Sequence, residues 1–173
     1  MLSKKMAEKI NEQVGNEMYS AYLYLAMSLK ASEDGWKGFA TWFMAQYHEE
    51  MHHAMKFIEY LQDQGAQVKL SPLKDPGRDF AGPKDMFEKT YKHEQFITKC
   101  IHELAELALA EKDHASYALL QWYVNEQVEE EKNDTEILDQ LSKVGDNVGA
   151  LFMLDAHLRG RKVGVPTDFT SIL

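Results

Sequence analysis

The chain has 173 residues and a formal net charge of −9. That length suits one domain with a sizeable core, and the negative balance argues against nucleic acid or an anionic membrane as partner while allowing cation binding. Its single cysteine, Cys100, can form no internal disulfide, which fits a reducing cytoplasm; the charged N-terminal stretch lacks the apolar run of a signal peptide, and nothing approaches the roughly 20 apolar residues of a membrane span.

From about Lys5 to Ser32 the positions Ile10, Val14, Ala21, Leu25 and Ser28 share one helical seam, with Glu17 inside it and Tyr24 about two turns further on the same inner side. Ser32-Glu33-Asp34-Gly35 reads as a short turn, so the next helix runs back antiparallel. That second helix, about Trp36 to Gln64, has Phe39, Phe43, Gln46, Tyr47, Phe57 and Leu61 on its seam. Glu50 and His53 fall on it too, so a carboxylate and an imidazole one turn apart point into the core. Taken alone, this helix is most plainly explained by a satisfied core histidine beside an acid, since a buried charge is costly unless paired or metal-bound.

Residues 65–82 hold Pro72, Pro76 and Gly77 and have poor periodicity. A helix of about 28 residues is roughly 42 Å long, and about 18 residues can stretch to roughly 59 Å. The segment can therefore cross the length of a bundle and set the third helix parallel to the second. Gly82-Pro83 starts that third helix, which runs to about Glu111. Its seam is Phe87, Thr90, Glu94, Ile97, Ile101, Leu104 and Ala108, with Glu94 the single charge. Asp113 is an N-cap candidate for a fourth helix reaching about Val144, with the seam Ser116, Leu120, Tyr123, Gln127, Glu130, Asp134, Ile137 and Leu141. Gly145 ends it, and Asp146 can cap a short fifth helix over about 147–158. The expected organisation is one all-α domain over 1–173: a four-helix bundle over about 5–144, one long crossover, the short fifth helix, and an irregular tail from 159.

Each long helix thus places polar groups near its midpoint: Glu17; Glu50 and His53; Glu94; Gln127 and Glu130. In a bundle, midpoints share a level, so the six side chains converge. Four carboxylates at one buried spot cannot all stay ionised without cations. Oxygen ligands with one imidazole suit a pair of divalent first-row metals, and bridging carboxylates can hold two of them close together.

Here the chain resembles the ferritins, specifically the non-haem bacterial type. The resemblance is carried by Glu17 with Tyr24, by Glu49-Glu50-Met51-His52-His53, by Tyr91-Lys92-His93-Glu94, and by Asn125-Glu126-Gln127-Val128-Glu129-Glu130. It spans nearly the whole chain and implies a ferritin-like four-helix bundle. Di-iron carboxylate bundles of the four-carboxylate, two-histidine type carry Glu-x-x-His on two helices. This chain has it only on the second, and the fourth offers Gln127-x-x-Glu130. That departure weakens a bacterioferritin-type site and matches the ferroxidase centre of ferritins.

The resemblance further implies that Glu17, Glu50 and His53 bind one iron, with Glu50 bridging to a second held by Glu94 and Glu130. Gln127 lies beside the pair as a hydrogen-bonding or water-positioning group. Glu49, Glu126, Glu129 and Glu130 match a third iron site, although a solvated acidic face explains Glu126 and Glu129 as well. Tyr24 matches a possible electron donor, and a core aromatic with a bonded hydroxyl is compatible with that role. The implied activity is Fe(II) oxidation by dioxygen or peroxide, with Fe(III) stored as a hydrated ferric oxide inside a cytoplasmic homo-oligomeric shell of twenty-four subunits. Animal ferritins that oxidise iron carry an acidic pair at a three-fold pore, where this chain has Tyr117 and Leu120.

Three other readings compete. His48-Glu49-Glu50-Met51-His52 satisfies the zinc-peptidase pattern His-Glu-x-x-His, but both histidines lie about 200° around the helix from Glu50 and face away from the seam. Met51 follows the glutamate as a haem-ligand methionine does in bacterioferritins; without a second Glu-x-x-His, no haem is expected. A catalytically inert shell would have lost centre ligands that this chain keeps.

Overall fold

The computed structural model describes residues 2–170; Met1 and residues 171–173, the end of the expected irregular tail, lie outside the described residues. Five helices account for the regular structure, with no strand among the described residues. They are α1 (Lys4–Glu33), α2 (Lys37–Asp63), α3 (Pro83–Glu111), α4 (His114–Val144) and α5 (Val148–Leu158). No described helix is long and apolar enough to cross a membrane.

The helix ends follow from side-chain chemistry. Ser3 accepts from the Met6 amide at 3.0 Å to start α1, Pro83 occupies the first turn of α3, and Asp113 accepts from Ser116 at 3.0 Å to start α4. The α5 cap differs from the expectation by one residue. Asn147, not Asp146, accepts from the Ala150 amide at 3.1 Å; either side chain can cap, and the helix starts one residue later.

Contacts across the bundle set the topology. Short connections make α1 and α2 antiparallel, and likewise α3 and α4. Ser3, the N-cap of α1, hydrogen-bonds Glu111 at the end of α3, while Thr90 near the start of α3 meets Met27 late in α1, so these two are antiparallel. Hence α2 and α3 run parallel, joined by residues 64–82. Asn11, buried on α1, fastens that crossover: its amide donates to Gln67 O at 3.1 Å, and its oxygen accepts from Lys69 N at 2.6 Å. At the far end Phe80 is buried and Arg78 pairs with Glu33 at 2.7 Å.

The core divides into two apolar clusters. One holds Tyr24, Met27, Phe39, Phe43 and Phe87; the other holds Ile10, Val14, Phe57, Ile97, Leu120 and Tyr123. Between them, at mid-bundle, lies a layer of polar side chains. Two seam positions from the sequence, Leu25 and Tyr47, are only half-buried.

The fifth helix is held by one acid. Asp155, buried on α5, accepts from the Gly38 and Phe39 amides at 2.7 and 3.0 Å. It thereby satisfies two free N–H groups at the start of α2, a helix end that lacks a side-chain cap of its own. The approach requires glycine: a Cβ on residue 38 would stand 1.6 Å from the Asp155 carbonyl oxygen.

Candidate metal centre

The polar layer holds side chains from all four long helices. Glu17, Glu50, His53 and Glu94 are each 1–2% exposed, and Gln127 and Glu130 are also buried. Glu17, Glu50 and His53 each offer a ligand atom within 4.8 Å of the others, and no other group of three or more His, Cys, Asp or Glu does so among the described residues. His48 and His52, the pair of the peptidase-like motif, are therefore not brought into such a cluster.

Hydrogen bonds hold the acids in place. Gln13 donates to Glu17 at 2.8 Å, leaving the second Glu17 oxygen without a partner among the described residues. Nδ1 of His53 lies 3.4 Å from Glu50. The His53 carbonyl accepts from the Tyr123 hydroxyl at 2.8 Å, and its ring meets Trp122 edge-on with centroids 5.3 Å apart. Gln127 donates to Glu94 at 3.0 Å, and the buried Tyr24 hydroxyl donates to the other Glu94 oxygen. Gln46 donates to Glu130 at 2.9 Å. Tyr24 is thus a core aromatic whose hydroxyl is bound to one acid of the cluster.

The electrostatics show how crowded the layer is. Burial, then the charge of Glu50, raises the Glu17 carboxyl to about 8. Burial, then Glu94, raises Glu130 to about 7. Glu50 is pushed well above the carboxylate range by burial and by Glu94 and Glu130, and Glu94 is raised by burial first. Crowding without cations thus favours the protonated forms of these acids, and a bound cation favours the ionised, ligating forms.

Glu49, Glu126, Glu129 and Glu130 line one cavity of about 250 Å³ with His53 and Arg161. Glu126 is half-buried and its carboxyl raised, chiefly by burial; Glu129 is exposed. The four acids therefore line one cavity, with Glu129 on its solvent side.

Three participants escaped the sequence reading. Gln46 stood on the seam as a packing position, without its bond to Glu130. Asp134 stood on the α4 seam one turn beyond Glu130. It is fully buried with neither oxygen partnered among the described residues, and burial first, then Glu94 and Glu130, raises it to about 9. Its seam position was the available signal. Arg161 lies in the tail, where no periodicity marks it.

A family model for the ferritin-like domain matches residues 7–144. The bacterial non-heme ferritin of Campylobacter jejuni is 42% identical over 159 residues, covering 92% of this chain and 95% of that protein. The bacterial non-heme ferritin of Escherichia coli O157:H7 is 39% identical over 158 residues, covering 91% and 96%. Among solved structures, the open-pore ferritin of the archaeon Archaeoglobus fulgidus superposes with a TM-score of 0.92 at 44% identity, covering 94% of this chain and all of that one. A humanized archaeal ferritin gives 0.94 at 43% identity, covering 96% and 100%. The family match covers most of the chain, and the fold and sequence relatives agree with it: this chain belongs to the ferritin family.

Proposed function

We propose that this chain is one iron-storage domain over 1–173 that oxidises Fe(II) at a di-iron centre inside each subunit and passes Fe(III) to a hydrated oxide mineral within a cytoplasmic shell of twenty-four copies. The observation that carries this reading is the convergence of Glu17, Glu50 and His53 within 4.8 Å in a buried layer that also receives Glu94 and Glu130. So many buried acids are stable together as protonated groups or as ligands of divalent cations.

In this reading Glu17, Glu50 and His53 hold one ferrous ion, and Glu50, Glu94 and Glu130 hold the other. Gln127 keeps Glu94 oriented through its 3.0 Å bond, and Gln46 does the same for Glu130. Each ferrous ion gives one electron. Two of them, with two protons, reduce dioxygen to hydrogen peroxide, or peroxide to two waters. Protons displaced from the raised carboxyls on iron binding are available at the site. Tyr24, bonded to Glu94, would give an electron only in a four-electron reduction of dioxygen to two waters, alongside three from ferrous ions. Glu49, Glu126 and Glu129, with Glu130, form an accessory seat for a third ion. No haem has a role here.

The test is anaerobic addition of Fe(II) to the metal-free shell followed by an oxygen pulse, watched by absorbance. A fast rise at up to about two Fe(II) per subunit, followed by slower mineral growth, supports the reading. Oxidation no faster than in protein-free buffer contradicts it.

A further inference from the structure

The chain leaving α5 folds back over α2 and places Arg161 against the metal centre. The guanidinium lies 4.4 Å from the centre of the Trp42 ring. Its Nη2 donates to Glu49 at 2.5 Å and to the Gln46 side-chain oxygen. That same Gln46 donates through its nitrogen to Glu130. The side chains of Arg161 and Glu49 are only 18% and 15% exposed, so the pair is largely withdrawn from water. Nη1 is buried and has no partner among the described residues. Arg161 also lines the cavity that holds Glu49, Glu126, Glu129, Glu130 and His53.

A desolvated guanidinium on Glu49 and a divalent cation on the same carboxylate repel each other strongly where water does not screen them. We propose that Arg161 is a resident cation plug of the accessory pocket: its guanidinium holds the Glu49 seat that a metal ion takes there, so metal occupancy and tail docking exclude each other. This inference rests on the proposed accessory role of Glu49, Glu126 and Glu129. It adds a coupling. When Arg161 leaves, Gln46 loses its acceptor contact and its hold on Glu130 loosens, so filling the accessory seat frees a ligand of the central pair. Because the coupling is reciprocal, metal must loosen the tail as strongly as the tail weakens metal.

The test uses Zn(II), which undergoes no redox change, on the assembled metal-free shell. Equilibrium zinc binding is compared in the parent, Arg161→Gln and Arg161→Lys, with assembly checked by size. Accessory zinc should bind roughly tenfold tighter in Arg161→Gln, within the usual range for such couplings, while central zinc should shift less, and only through the loosened Glu130. Arg161→Lys, which keeps the charge, should stay near the parent. Amide exchange supplies a second readout. The Arg159, Gly160 and Arg161 amides, bonded to Asp155, His157 and Leu158, should exchange faster when zinc fills the accessory seat of the parent. Equal accessory affinity in all three proteins, with tail exchange indifferent to zinc, would overturn the plug alone. Absence of any zinc bound at Glu17, Glu50 and His53 would overturn the metal centre, and the plug with it.

Discussion

Gln46 donates its side-chain nitrogen to Glu130 at 2.9 Å, so a residue of α2 sets the position of an acid on α4. Its oxygen is taken by Arg161, and these opposite demands fix which way the amide points. The centre is thus ordered by neutral amides (Gln13, Gln46 and Gln127) rather than by lysines or arginines bonded to the acids of the central cluster. Amides orient carboxylates without competing with an incoming cation.

Replacing Glu50, the proposed bridge, removes a ligand from both ions. Glu50→Ala should slow the initial Fe(II) oxidation by roughly 100-fold or more, since even neighbours of metal ligands cost 10–100-fold. The metal-free variant should melt at or above the parent temperature, because the raised Glu50 carboxyl is relieved of Glu94 and Glu130. Stopped-flow absorbance and calorimetry on the same sample separate the two effects. Parent-like oxidation would place the centre elsewhere.

The raised carboxyls fix a pH dependence and its sign. Glu17, Glu130 and Asp134 titrate near 8, 7 and 9 in the folded chain, above their ordinary values. Their contribution to folding is full below about pH 4 and is lost as pH rises through the folded values, at about 1.4 kcal/mol per pH unit for each group while it alone differs between states. Asp134→Leu removes one such group, so its stability gain over the metal-free parent should grow between pH 4 and 9. A gain that is flat or shrinks with pH would show that Asp134 is not held protonated.

The docking of α5 rests on one close approach. Gly38→Ala puts a methyl group 1.6 Å from the Asp155 carbonyl oxygen, so the helix must lift and α2 loses the side-chain cap that Asp155 supplies. Asp155→Ala removes the two hydrogen bonds without the clash, a loss of about 1–2 kcal/mol. Both variants should melt below the parent, Gly38→Ala lowest, and limited proteolysis should cut Gly38→Ala after α4 first. A Gly38→Ala protein as stable as the parent would mean that α5 is not packed this way.

The helical periodicity of the sequence located the bundle and the central acids, because Glu17, Glu50, His53, Glu94, Gln127 and Glu130 interrupt apolar seams at matched depth. Gln46 and Asp134 were visible only as seam positions. Whether a seam amide bonds a ligand, or a seam acid is left without a partner, depends on what the facing helix presents. Arg161 was not legible at all, since its place follows from the Asp155 contact that aims α5, a pairing far apart in sequence. The seams also put Leu120 in the core, as the structure does.

That placement changes what can be tested at Tyr117 and Leu120. Leu120 is fully buried in the second apolar cluster, whereas Tyr117 is half-buried at its edge. Leu120→Glu should cost several kcal/mol by burying an unpaired acid and so reports on folding. Tyr117→Asp should assemble normally and leave the oxidation rate at low Fe(II) unchanged if iron does not use a three-fold acidic funnel. A large rate gain in an intact Tyr117→Asp shell would show that this route was limited by missing charge.

The most direct measurement is anomalous diffraction at the iron edge from crystals loaded with Fe(II) without oxygen. The expected result is two peaks a few ångströms apart, one against Glu17 and His53, the other against Glu94 and Glu130, with Glu50 touching both. A single peak, or iron bound only outside the layer between the two apolar clusters, would contradict a di-iron centre in this chain.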